Sequence, residues 1–220
     1  MTEFCPEELV RQSRQLWESV KTWGSARDDV TALGGWAVYE LVDPKMAHQS
    51  KDVDLLFHSQ SAFDAFRKCM PRWHLTWRGK GRTVFKDCHF KTDPQRRIVV
   101  DVFTTDSSIG ASLFAMQSGT NVKPATYRGF VPDLGFLLRD KIDTIPVRSG
   151  WDDPEGKRLK DLLDVRLLVY HNRAGRLASE LRDLVPAEAR MRAAEFTDGL
   201  SDAHPEYREE LAQMDRWLRQ

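Results

Sequence analysis

Two adjoining stretches, Ala32-Leu33-Gly34-Gly35-Trp36-Ala37-Val38-Tyr39 and Ser50-Lys51-Asp52-Val53-Asp54-Leu55-Leu56-Phe57, decide how this chain is read. The segment 29–33 is a short strand candidate that runs into Gly34-Gly35, and residues 36–42 predict a helix opening directly from the glycines, stopped by Pro44. Residues 53–57 predict a second strand. Side chains alternate along a strand, so Asp52 and Asp54 point one way while Val53 and Leu55 face the core. By the same alternation Lys51 points away from both carboxylates.

A third carboxylate follows in Ile98-Val99-Val100-Asp101-Val102-Phe103, where Asp101 is wedged into an otherwise apolar strand. A carboxylate left uncompensated there costs several kcal/mol of desolvation. Three such groups close together repel one another unless a cation sits among them, and oxygen-only ligands suit Mg²⁺ (or Mn²⁺). Spacing alone is weak: with 21 Asp in 220 residues, chance supplies about two D-x-D triplets. An exposed strand face, or aspartates capping turns, would carry the same triplet. The glycine pair is equally ambiguous, because most Gly-Gly steps are turns. Placed between a strand and a helix, however, it lets a phosphate approach the backbone and the helix N-terminus.

Taken in order, strand, Gly34-Gly35, helix, D-x-D strand and a later strand with Asp101, the sequence resembles the nucleotidyltransferase superfamily with the polymerase-β-type fold. The resemblance implies that Gly34 and Gly35 receive the nucleotide phosphates. It also implies that Asp52 and Asp54 bind metal and that Asp101 supplies the third carboxylate. Farther on, Arg139-Asp140-Lys141-Ile142-Asp143, then Arg148, then Lys157-Arg158-Leu159-Lys160-Asp161-Leu162-Leu163-Asp164 resembles the "K…R…KD…D" signature of the AbiEii-like branch, many of whose members are toxins of toxin–antitoxin systems. The resemblance spans residues 30–170, and one departure stands out: sixteen residues separate Gly35 from Asp52, so the connection over 43–50 is long. On this reading Lys141, Arg148 and Lys160 neutralise phosphate charge, and Asp161 orients one of them. Against it, Lys157, Lys160, Asp161 and Asp164 lie at helical spacing opposite Leu159, Leu163 and Leu167, as surface ion pairs on any amphipathic helix would.

The rest of the chain fits around this centre. Helical periodicity covers 6–23 and 61–70; strands are predicted over 84–90 and 97–103, joined through Asp93-Pro94. Beyond Pro132 the pattern is helical throughout, over 133–145, 155–171, 177–185, 187–200 and 205–218. The expected fold is therefore α/β (α+β): a mixed sheet flanked by helices over residues 1–130, then a helical C-terminal lobe over 131–220.

Composition sets the outer limits. The chain is 41% hydrophobic and 30% charged, too apolar for disorder. No apolar run approaches the ~18 residues of a spanning helix, and no signal peptide is recognisable, so a cytoplasmic protein with no membrane partner is expected. Cys5, Cys69 and Cys88 form neither a CxxC pair nor an even framework, as suits a reducing compartment. The six histidines lack zinc-ligand spacing.

Charge cancels overall but is segregated: residues 67–97 hold ten Lys or Arg against two Asp, and 183–220 hold nine acidic against five basic residues. Trp73, Trp77 and Phe85 interleave with Arg72, Arg78, Lys80 and Arg82. Such a mixture stacks bases and binds phosphates, although aromatics at this spacing also build cores.

The expectation is a Mg²⁺-dependent transferase moving NMP from an NTP to a hydroxyl on RNA (a tRNA end), a small molecule or a protein side chain, with an antitoxin protein as a further partner. The rivals are a non-catalytic nucleotide- or partner-binding module of the same fold and a metal-dependent phosphohydrolase.

Overall fold

The computed structural model describes residues 6–69, 75–77, 88–90, 97–98, 100–104, 130–150 and 153–220. The fold is mixed α/β, with a three-stranded mixed sheet and a predominance of helix. It divides into two compact units: one holds residues 1–40 and 48–133, the other 41–47 and 134–220.

The first unit begins with α1 (Pro6–Gly24), followed by β1 (Val30–Leu33), α2 (Gly34–Leu41), β2 (Val53–Phe57) and α3 (Gln60–Cys69). β2 is the central strand of its sheet. It pairs antiparallel with β1 and parallel with a later strand, β6 (Val100–Thr104). A second sheet holds β3 (Leu75–Trp77), β4 (Cys88–Phe90) and β5 (Arg97–Ile98), all antiparallel. The single strand expected over 97–103 is thus two strands, β5 and β6, in different sheets. Of the strand expected over 84–90, residues 84–87 lie outside the described residues. So do Asp93-Pro94, most of the basic stretch, and Arg72, Trp73, Arg78, Lys80, Arg82 and Phe85.

Aromatic residues hold this unit together. Trp17 of α1 and Trp36 of α2 are fully buried and stack with centroids 5.7 Å apart, and Phe130 packs on Trp17 at 5.3 Å. A buried indole must place its N–H. Trp36 Nε1 donates to Ser13 Oγ and Trp17 Nε1 to Glu40 Oε1, both at 3.0 Å. Phe57, at the end of β2, contacts Trp23, Phe63 and Phe66, which seats α1 and α3 against the sheet.

The second unit contains α4 (Leu134–Val147), α5 (Pro154–Tyr170), α6 (Ala178–Arg182), α7 (Ala187–Ala194), α8 (Thr197–Ala203) and α9 (Arg208–Arg219), with 3₁₀ turns at Arg148–Gly150 and Pro205–Tyr207. Its core is aliphatic, with Leu137, Leu138, Ile142 and Ile145 of α4 and Leu162, Val165 and Leu168 of α5 all fully buried. Asp153 caps α5 by accepting from Gly156 N, and Pro154 occupies the first turn, where its missing N–H costs nothing.

The helix expected over 187–200 is broken at Glu195-Phe196 into α7 and α8. The Ala194 carbonyl receives the Thr197 hydroxyl at 2.8 Å and Arg219 Nη2 at 3.2 Å, so it is taken before the helix can continue. The segment 41–47 joins this unit through a β-bridge between Val42 and Asn172 and through Asp43 N to His171 O (2.9 Å) and Arg173 N to Leu41 O (2.8 Å).

Candidate functional site

Pairing register sets the geometry of the first unit's carboxylates. Asp54 and Asp101 are direct partners across the parallel β2–β6 ladder. Directly opposed residues in a ladder share a face, and neighbouring strands run about 4.8 Å apart, so the two carboxylates stand side by side. Both are partly exposed, whereas their strand neighbours Val53, Leu55, Val100 and Val102 are fully buried. The alternation read from the sequence therefore holds here.

On its other edge Asp54 pairs with Leu33, the last residue of β1. The next residue, Gly34, has φ +63° and opens α2. A Cβ built on Gly34 would overlap the Asp54 carboxylate. Glycine is thus required twice at this position, by the backbone and by the close approach of a side chain. Gly35 is buried in the first turn of α2.

Asp52 lies in a bend just before β2 rather than in the strand. The reason is local. β1 has already turned away at Gly34, leaving no ladder partner on that side, and Asp52 Oδ1 accepts from the Ser50 hydroxyl at 2.6 Å. Lys51 is exposed.

The donors are all carboxylate oxygens, the chemistry of a hard divalent ion. Among the described residues no three His, Cys, Asp or Glu side chains are gathered as a ready-made metal cage. Mg²⁺ does not need one, because it commonly takes one or two protein carboxylates and completes its octahedron with water and substrate phosphate. The paired Asp54 and Asp101 offer two carboxylates of the kind such an ion takes.

The second unit contains a buried ionic network. Lys141 Nζ of α4 lies 2.9 Å from Asp161 Oδ1 and 2.7 Å from Asp164 Oδ2 of α5. Arg148 reaches the second Asp161 oxygen with Nε at 2.9 Å and Nη2 at 2.8 Å. Asp161 and Asp164 are only 2% and 3% exposed. The polar stripe of α5 is therefore not a solvated row of ion pairs as its spacing allowed. Lys160 alone of the expected cations is exposed, and Lys157 is half-buried.

Two cations and two anions match in this network, which offsets a desolvation cost of several kcal/mol per ion. Burial works against the charged form of Lys141, but Asp164 and Asp161 outweigh it and hold the ammonium above the usual lysine range. Burial, opposed by Lys141 and reinforced by Asp161, pushes the neighbouring Asp140 carboxyl up to about 6.

The structure thus brings Gly34, Asp54 and Asp101 together in one unit and Lys141, Arg148 and Asp161 in the other. Sequence reasoning passed over Ser50, Asp140 and Asp164 as site residues. Asp164 carried a usable signal, since it sits three residues from Asp161 on the same helical face. Ser50 carried only its S-x-D spacing.

Among the described residues no helix is long and apolar enough to cross a membrane. No protein-family model and no curated protein sequence matches the chain. Among solved structures, an antigenic nucleotidyltransferase-like protein from Paracoccidioides brasiliensis is similar over 94% of this chain and 93% of that one, at 16% sequence identity and a TM-score of 0.42.

Proposed function

We propose that this chain is a metal-dependent nucleotidyltransferase. The observation that supports it best is the register of Asp54 against Asp101 beside a glycine whose Cβ would occupy the same space as the Asp54 carboxylate. In this reading Asp52, Asp54 and Asp101 hold Mg²⁺ or Mn²⁺, and Gly34 and Gly35 present α2 to the β- and γ-phosphates. A divalent ion bound there with the nucleotide supplies charge neutralisation for the triphosphate and a lowered pKa for the acceptor hydroxyl.

The protein's own contributions are separate. The N-terminal end of α2 favours anionic oxygen, Gly34 leaves room for the Asp54 carboxylate beside it, and Asp101 accepts a proton from the acceptor hydroxyl. Of the cations that the resemblance assigns to phosphate charge, Lys160 is exposed and Arg148 is held by Asp161. Lys141 is assigned to positioning, because its ammonium is already shared by Asp161 and Asp164 and is nearly inaccessible.

The acceptor we favour is RNA, a tRNA end in particular, on account of the basic stretch over 67–97. A small-molecule hydroxyl is the next choice. The resemblance of the lysine–arginine–aspartate signature to the AbiEii-like branch, many of whose members are toxins, supports a toxin role with an antitoxin partner as part of this reading.

The test is incubation with each labelled NTP plus total tRNA or a panel of small hydroxyl acceptors, with Asp52→Ala and Asp101→Asn alongside. Label transfer with release of pyrophosphate, lost in both variants, is expected. Release of inorganic phosphate instead would make the protein a phosphohydrolase. Nucleotide binding with no transfer to any acceptor would make it a non-catalytic module.

A further inference from the structure

Helix α9 buries one face, with Leu211, Met214, Trp217 and Leu218, in the helical unit. Its other face carries Glu209, Ala212, Gln213 and Arg216 at i, i+3, i+4 and i+7, a single stripe along the helix. Glu209, Ala212 and Arg216 are exposed and Gln213 is half-buried. Together with Glu210 and with Arg166 of α5, the stripe lines an open groove of about 390 Å³.

Charge is ordered along this groove. Glu209 and Glu210 lie in the first turn of α9 and Arg216 in the last. Arg166 Nε donates to Gln213 Oε1 at 2.9 Å. Burial pushes the Tyr170 phenol up, opposed by Arg216 and Arg166, so positive charge gathers beside Tyr170. Among the described residues Glu209, Glu210 and Arg216 make no ion pair and no side-chain hydrogen bond. The reason is distance: seven residues of helix set Glu209 about 10 Å along the axis from Arg216.

Turned end for end, the stripe Glu-Ala-Gln-Arg matches itself. An antiparallel copy of α9 places an arginine over each Glu209 and a glutamate over each Arg216, with Ala212 and Gln213 at the centre. The small Ala212 side chain there lets two helix axes approach to the ordinary packing distance of about 8–10 Å. Such an interface is isologous, the same patch on both subunits. Tyrosine and arginine, the residue types enriched at interfaces, flank it as Tyr170 (36% exposed) and Arg166.

We infer that the α5–α9 face docks a second copy of this chain, α9 against α9 about a two-fold axis between Ala212 and Gln213, with Glu209 of each copy facing Arg216 of the other. Exposed pairs of this kind fix register and are screened by salt, so the dimer is concentration-dependent and weakens as ionic strength rises.

The experiment is sedimentation equilibrium of the full chain, at low and high salt, as wild type, Glu209→Arg, Arg216→Glu and the double variant. Both single changes fall on exposed positions of a formed helix, and far-UV circular dichroism checks that the fold is kept. Each replaces two attractive contacts by two repulsive ones and should weaken association about tenfold or more. An equimolar mixture of the two single variants should associate as the wild type does, because every contact is then again between opposite charges. The double variant should do so by itself.

A wild type that stays monomeric up to millimolar concentration would overturn the inference and leave the face to a different chain. Dimers that both single variants retain at wild-type strength, or a mixture no stronger than its components, would overturn it as well.

Discussion

Gly34 and Asp54 stand so close that no side-chain carbon fits between the glycine Cα and the aspartate carboxylate. Gly34 also has φ +63°, so Gly34→Ala meets both backbone strain and steric overlap and should lose about 2–4 kcal/mol. Gly175 is the internal control. Its φ is +65° but nothing lies within 4 Å of a Cβ there, so Gly175→Ala should cost only about 1 kcal/mol. Urea midpoints compare the two, and equal losses would show that the Asp54 carboxylate yields freely. Nucleotide transfer should vanish in Gly34→Ala and persist in Gly175→Ala.

The adjacency of Asp54 and Asp101 makes an unusual pair of demands. Like charges directly opposed on a ladder destabilise it by about 0.2–1 kcal/mol. Without divalent ions, Asp54→Asn and Asp101→Asn should therefore be at least as stable as wild type by thermal melting. Mg²⁺ with nucleotide should raise the melting temperature of the wild type and leave both variants unmoved, and transfer should drop by about 100-fold or more. Variants that melt lower than wild type in chelator would contradict the repulsion argument.

A pH signature comes from Asp140. Its carboxyl is pushed up to about 6 in the folded protein by burial, against an ordinary value of 3.8 in the unfolded chain. Between those two values the folded state binds more protons than the unfolded state, so this group's contribution to stability falls as pH rises and is fully lost above about 6. Asp140→Asn should accordingly stabilise the protein at pH 7 by about 1–2 kcal/mol, a figure kept below the full shift because the residue is partly exposed. The gain should disappear at pH 4, and paired urea titrations at the two pH values decide it.

Lys141 and Lys160 should separate cleanly. Lys141→Met leaves Asp161 and Asp164 buried with half their positive charge gone and should cost about 3–5 kcal/mol. Lys160 is exposed, so Lys160→Met should change stability by less than about 0.5 kcal/mol. Any transfer lost in Lys160→Met then reports on phosphate contact rather than on folding. A stable Lys141→Met would show that the network relaxes or protonates without difficulty.

The parts of the fold that follow from local pattern were the parts legible in the sequence. β2 runs over Val53–Phe57 as its apolar alternation predicted, and α3 and α5 fall within a residue of their predicted spans. What the chain's pattern could not carry was decided by distant partners. Whether the polar stripe of α5 met water or another helix depended on Lys141, twenty residues upstream of Asp161. The break after Ala194 is shared between the local Thr197 hydroxyl and Arg219, twenty-five residues downstream. The division of 97–103 between two sheets depends on which neighbours each half finds, and no periodicity records that. At the carboxylates, alternation set Asp54 opposite the core-facing Val53 and Leu55, but Asp101 read only as a carboxylate wedged into an apolar strand, and the pairing register alone makes the two neighbours.

The bridge from Val42 to Asn172 has a consequence for dissecting the protein. The helical unit is closed by a short piece of chain, 41–47, that is threaded into it more than eighty residues before α4 begins. A gene cut near residue 130 would carry that piece away with the wrong half. The Asp43–His171 and Leu41–Arg173 backbone bonds would be severed, and the Arg173 guanidinium would lose the Val42 carbonyl it reaches at 2.6 Å. The helical half is therefore better isolated by fusing 41–47 to its free end than by simple truncation.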